Sequence, residues 1–217
     1  TPIVVCGINQ HDDYLTNSEN MFTGIAETIA VKDTIDIAFK IHPNTKNIFV
    51  VLDNSVTGNI FKDEFTDFFN TCDREINFHF IQNDCLEDVT KIISTIPRES
   101  VIFHASPVYK GKSGELIAKK LGVKVIAQST QAPIYSFWEF EVGHGFVGGK
   151  VISGYNHGRR AAADAVKILN GIDIKNIPFK EKSISKYYFD YDLLKKYNID
   201  RSVLQEDSII INAPLTY

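Results

Sequence analysis

Asp53 is the first residue whose setting could carry chemistry. It closes an apolar run, Asn47 to Leu52 (NIFVVL), and is followed by Asn54, Ser55, Thr57 and Gly58. An acid at the end of a buried strand is where a phosphoryl-accepting aspartate sits, but the companion acidic pair and downstream Lys of such a site are not at matching places. Further short polar clusters follow apolar runs: Asn9, Gln82-Asn83-Asp84, Ser106 and Gln128-Ser129-Thr130. Together they suit a hydrogen-bonding cleft, because ligands of open parallel sheets bind beyond the carboxyl ends of the strands. Singly, each is also an ordinary turn or cap residue. A second candidate region is Ala132 to Gly158 (APIYSFWEFEVGHGFVGGKVISGYNHG). Its rings, Tyr135 and Trp138, offer flat apolar walls, Glu139 and Glu141 offer acceptors, and its glycines permit close backbone approach. The plain alternative is strand, turn and strand, with Trp138 in the core.

Catalytic and metal signatures are sparse. The chain lacks G-x-x-x-x-G-K-[ST], a G-x-G-x-x-G after a strand, G-x-S-x-G and H-E-x-x-H. Its histidines are scattered: His79 and His104 fall within strand-like runs and read as internal residues, while His144, between Gly143 and Gly145, is the one in a plausible site. Cys6, Cys72 and Cys85 show no C-x-x-C and no metal spacing to His. Cys6 reads as a buried thiol in an apolar strand. Cys72 and Cys85 flank a strand, so a disulfide between them is conceivable, with three reduced thiols the simpler reading. No metal and no cofactor is expected.

The elements that would position these residues follow from periodicity. Extended runs are expected at Ile3–Ile8, Phe22–Ile29, Asn47–Leu52, Ile76–Ile81, Val101–Ala105, Val123–Ala127, Tyr187–Tyr191 and Ile209–Ile211. Helical spacing is expected at Val31–Ile41, Thr57–Cys72, Leu86–Ile96, Ser113–Leu121, Gly158–Leu169 and Leu193–Tyr197. Strands alternating with helices predict an α/β fold, a parallel sheet with helices on both faces. The chain has 217 residues, 44% hydrophobic and 23% charged, with net charge −4. That is an ordinary globular profile, and it argues against nucleic acid, which calls for a basic face. No apolar run approaches the roughly 20 residues of a membrane helix.

Several phrases together resemble one family, the ABC-transporter substrate-binding-like proteins of the periplasmic-binding fold. They are PIVVCGIN (Pro2 to Asn9), FTGIAE (Phe22 to Glu27), TIDIAFKIHPNTKNIFVVLDNSVTG (Thr34 to Gly58), PIYSFWEFEVGHGFVGGKVIS (Pro133 to Ser153) and GRRAAADAVKILNG (Gly158 to Gly171). The resemblance implies a type I, periplasmic-binding-protein-like arrangement, in which two α/β lobes joined by a hinge close over a small ligand. Family members begin with most of a lobe ahead of the PIVVCGIN counterpart, and this chain enters that strand directly from Thr1. One lobe is therefore expected to be complete and the other partial. Residues 1–30 would belong to the partial lobe and 31–155 to the complete one. Residues 156–217 would supply the return helix, hinge and closing segment.

The expected ligand-binding residues are Asn9, Asp53, Asn54, Thr57, Tyr135, Trp138 and Glu139, with Trp138 or Tyr135 stacking on the ligand and Glu139 orienting it. The tail, YYFDYDLLKKYNIDRSVLQEDSIIINAP (Tyr187 to Pro214), resembles the end of the family's sensor members. These form the extracytoplasmic input domain of bacterial sensor histidine kinases. The leading expectation is thus a small-ligand sensor, extracytoplasmic, without chemistry of its own, and reaching the membrane only through flanking segments. A homodimer is left open. Two alternatives stand beside it: a solute-binding protein of an ABC transporter, and a flavodoxin-like enzyme or phospho-acceptor using Asp53.

Overall fold

The computed structural model describes residues 1–9, 21–105 and 108–215; Ser106 lies outside them. The chain divides into two units. Unit 1 is Thr1–Ile29 with Ile152–Ser185, and unit 2 is Ala30–Val151 with Lys186–Tyr217.

In unit 1, strand β1 (Ile3–Ile8) pairs in parallel with β2 (Phe22–Ala26), with a register irregularity between Cys6 and Ile8. The later segment of this unit laces onto β2. The Thr23 hydroxyl donates to the Ile177 carbonyl (2.6 Å), and the Ala26 N–H donates to the Lys180 carbonyl (2.8 Å). Thr28 and Ser183 exchange backbone-to-hydroxyl bonds in both directions, at 2.7 and 3.1 Å. Cys6, expected to be buried, is exposed, because β1 presents much of its surface outside the packing of this two-stranded pair.

Unit 2 carries the sheet. Its strands are β3 (Asn47–Leu52), β4 (Asn77–Gln82), β5 (Val101–His104), β8 (Ile134–Ser136), β9 (Gly148–Ile152), β10 (Ser185–Asp190) and β11 (Ile209–Ile211). Among the described residues they stand in the order β11-β10-β9-β8-β5-β3-β4. The pairings β3/β4, β3/β5, β5/β8, β8/β9 and β10/β11 are all parallel. A small antiparallel ladder, β6 (Tyr109–Lys110) with β7 (Leu116–Ile117), stands apart.

Helices cover both faces, and β5 shows why, since its successive side chains point to opposite sides. Phe103 faces helix α2 (Val56–Asn70), where it meets Phe65 at 6.1 Å. Helix α1 (Val31–Ile41) buries Val31, Thr34, Ile35 and Ala38, one stripe at helical spacing. Ile102, on the opposite face, joins Val89 and Ile93 of helix α3 (Leu86–Ile93) and Val123 and Ile126 of helix α4 (Lys119–Gln128). The central strands are buried on both sides, as a covered parallel sheet requires.

Two expectations fail between β6 and β8. Val123–Ala127 is the body of α4, not a strand, and of the expected helix Ser113–Leu121 only Lys119–Leu121 is helical, the rest being turn and β7. Val123 and Ile126, three apart, are both buried, so the run VKVIA satisfies helical spacing as well as it mimics a buried strand. The strand that continues the sheet is instead Ile134–Ser136, introduced by Pro133, a placement Pro tolerates at a strand's first turn. His79, expected to be internal, is exposed on the edge strand β4 and stacks on Phe49 at 4.6 Å.

Candidate functional site

The carboxyl ends of β3 and β4 are built as one hydrogen-bonded corner. Ser55 caps α2, its hydroxyl accepting from the Gly58 N–H at 3.0 Å. One Asp53 oxygen accepts from both the N–H (3.0 Å) and the hydroxyl of Ser55. The Asn54 N–H donates to Asp84 at 2.7 Å, across from β3 to the end of β4. Asp84 also meets the Lys110 ammonium at 3.4 Å. Asn83 closes its own turn by accepting from the Cys85 N–H at 2.8 Å. Gln82 donates to the Asp53 carbonyl and to Asn59, and accepts from Lys62 at 3.0 Å. Asn54 and Ser55 remain exposed and Thr57 half-buried at the start of α2. Asp53, by contrast, is 2% exposed and bound into its own turn. That enclosure leaves the phospho-acceptor alternative without an accessible nucleophile.

Beside this corner lies a buried polar chain at the ends of β5 and β8. His104 places Nδ1 3.1 Å from both Glu141 oxygens, and its Nε2 lies 2.8 Å from the Tyr109 hydroxyl. The Ser136 hydroxyl donates to Glu141 and accepts from the Trp138 N–H at 3.1 Å. All four side chains are buried, at 0 to 3% exposure. Because a carboxylate only accepts, Glu141 gathers Ser136 and His104 onto one group. Both histidine nitrogens are engaged, so His104 has no free nitrogen with which to move a ligand's proton. The chain's work is to fix the turn Glu139–Glu141 against the sheet. Sequence reading missed the pairing, although Glu141 stands out as an acid in an apolar, aromatic run.

The expected site residues are distributed unevenly. Asn9 belongs to unit 1, and the other six belong to unit 2. Asp53, Asn54 and Thr57 meet at the β3–α2 corner. Trp138 is 6% exposed, with Phe61 at 5.8 Å and Phe140 at 6.3 Å. Glu139 is half-buried, and its charge adds to burial in raising the Tyr188 phenol, with burial the larger cause. Tyr135 departs from its expected role. It is 0% exposed, within ring distance of Phe103 (5.8 Å) and edge-on to His42 (5.9 Å), so no open face is left for a ligand to stack on. Its place in the middle of β8 puts it on the helix-covered face, which is the physical reason.

The glycines of the aromatic stretch serve the sheet. A Cβ at Gly148 (φ +141°) would sit 2.0 Å from the Tyr188 carbonyl oxygen, and one at Gly149 2.4 Å from that of Ser136. Their close approach is to neighbouring strands. His144 is half-buried, and the three cysteines are free.

Comparison with known proteins gives a family and a fold. The family described as ABC transporter substrate binding protein matches residues 1–213. No curated protein matches. Three solved structures share the fold. A ligand-free, open substrate binding protein with adhesive properties from Clostridium difficile is 15% identical, with TM-score 0.66. The match takes in 89% of this chain and 63% of that one, so the chain spans less than two thirds of that relative's length. A conserved domain protein from Vibrio cholerae is 16% identical (TM-score 0.71; 96% of this chain, 71% of that one). An ABC domain in complex with L-Trp from Streptococcus pneumonia is 18% identical (TM-score 0.72; 97% and 72%). The family match favours the transporter alternative over the sensor expectation, for which these matches supply no support.

Proposed function

Because the chain belongs to the ABC transporter substrate binding protein family, we propose that it binds a small molecule on the outer side of the membrane and delivers it to a permease. The carrying observation is the β3–α2 corner of unit 2. There Asn54, Ser55 and Thr57 stand at the carboxyl edge of the parallel sheet, with Asp84 bracing the Asn54 backbone. Such an edge suits a ligand held by a few placed polar groups. Glu139 and Trp138, on the turn that the buried Glu141 anchors, are the further unit 2 residues in this reading. Glu139 would take a ligand's donor group and Trp138 its apolar part. The first ligand class to try is the free amino acids, because one fold relative is described in complex with L-Trp. Binding, not turnover, is the proposed role, since both His104 nitrogens are engaged in holding structure and Asp53 is buried in its own turn.

The test is isothermal titration of the purified full-length protein with L-tryptophan and then a panel of L-amino acids. Asn54→Ala and Thr57→Ala should each weaken binding by roughly three- to ten-fold, the worth of one or two lost hydrogen bonds. Unchanged affinity in both variants would remove the corner from the site. The sensor reading is separated by the parent sequence beyond Tyr217. A following apolar run of about 20 residues and then kinase modules would replace the transporter role, whereas a neighbouring permease gene would support it.

A further inference from the structure

A cavity in unit 2 lies at the opposite edge of the sheet from the β3–α2 corner. Its volume is about 390 Å³, within the range of small-ligand sites. It is lined by segments that lead into three adjacent strands: Ile41–Thr45 before β3, Arg98–Ser100 before β5, and Pro133 before β8. Tyr197 closes one side, held there by its hydroxyl on the Ala132 carbonyl at 3.3 Å.

The polar inventory of this cavity is unusual in what it leaves unmet. Ser100 is 1% exposed, and its Oγ finds no hydrogen-bond partner among the described residues. The same holds for Nε2 of His42, which lines the cavity, and for the hydroxyl of Tyr135, whose ring lies edge-on to His42 at 5.9 Å. Leaving buried polar atoms unpaired is costly, and native interiors pair the great majority of them. Two such atoms on residues that line one cavity, with a third on the ring beside His42, mark a place prepared for something that bonds to them. Arg98 stands exposed at the rim, and among the described residues its guanidinium makes no ion pair.

We propose that this amino-edge cavity is a second ligand site, one that takes a small monocarboxylate with an apolar body. Arg98 supplies the single positive charge and a fork that matches a carboxylate. The Ser100 hydroxyl donates to the same group from the buried floor. Glu99, next to Arg98 on the same turn, repels a ligand carrying more negative charge, which separates a monocarboxylate from a phosphate. Ile41, Pro43, Pro133 and the Tyr197 ring supply apolar walls for the rest of the molecule. Burial lowers the His42 imidazole to about 4, so at neutral pH it is an uncharged partner that does not compete with Arg98 for the anion.

Benzoate is a suitable probe and benzamide its neutral control, followed by amide chemical shifts of the purified protein. Benzoate should produce saturable shifts at Thr45, Arg98 and Ser100, with none at Asn54 or Asn83, and benzamide should bind more weakly. Arg98→Ala, at an exposed position that leaves the core intact, should weaken benzoate by roughly ten-fold or more, through loss of charge-assisted hydrogen bonds. Ser100→Ala should weaken it as well, with the remaining amide spectrum unchanged. Three outcomes would each overturn the proposal: no saturable shifts, shifts confined to the carboxyl edge, or an Arg98→Ala affinity equal to wild type. The first two would assign these orphaned groups to bridging water alone.

Discussion

The Glu141 carboxylate has 1% exposure and serves three neighbours through two oxygens: Ser136, His104 and, through Ser136, the Trp138 backbone. Its removal strands a buried imidazole and a buried hydroxyl together. Glu141→Ala is expected to destabilise the protein by about 3 kcal/mol or more, read from urea unfolding midpoints. Glu141→Gln, which keeps an acceptor oxygen, should lose less. Two other residues tie stability to pH in opposite directions. Burial raises the Glu64 carboxyl from 4.5 to about 7, so the folded protein holds an extra proton between those values and loses stability as pH rises through them. Burial lowers His42 from 6.5 to about 4, so the folded protein holds fewer protons in that window and loses stability as pH falls through it. Glu64→Gln removes only the first effect. Its unfolding midpoint should exceed that of wild type at about pH 8, and the gap should shrink toward about pH 4.5. A gap independent of pH would mean that Glu64 titrates normally.

At the scale of elements, β9 is held in place by what its glycines lack. A methyl at Gly148 would meet both the Tyr188 carbonyl oxygen and the Phe189 ring, and the backbone there has a φ that side chains rarely adopt. Gly148→Ala is expected to cost about 3 kcal/mol or more, with steric overlap adding to backbone strain. Thermal unfolding and soluble yield would measure it, and an unchanged midpoint would show that β9 and β10 have room to part. Helix α4 teaches the converse lesson. Its residues Val123 to Ala127 are β-branched enough to read as strand, yet Val123 and Ile126 reach the α3 side of the core only from a helix. Local propensity yields there to packing.

On the scale of the whole molecule, neither unit is a continuous stretch of chain. The path passes between them at 29/30, 151/152 and 185/186. Unit 2 therefore waits for its last two strands, β10 and β11, until the final segment has been added. A fragment ending at Ser185 would leave the edge of β9 uncovered, and exposed edges template aggregation. Such a fragment is expected to be less soluble than the parent and to lose cooperative unfolding, measurable by light scattering and circular dichroism. A fragment as soluble and cooperative as the parent would show that β10 and β11 are dispensable.

The amino-acid sequence by itself determined the alternating plan. Apolar runs such as NIFVVL and helical stripes such as that of Val31–Ile41 need only local periodicity, and the strand ends Asp53-Asn54 and Asn83-Asp84 follow directly from where those runs stop. Motif phrases carried the family, and the match over residues 1–213 agrees with them. Tertiary structure decided what each candidate does there. Asp53 looks reactive until it is found buried with one oxygen on Ser55, and Tyr135 looks like a stacking ring until Phe103 and His42 enclose it. The bond between His104 and Glu141 joins residues 37 apart, and the amino-edge cavity gathers segments from four separate stretches. Neither leaves a periodic trace, because both depend on which strands become neighbours, and that order is set by packing across the whole sheet.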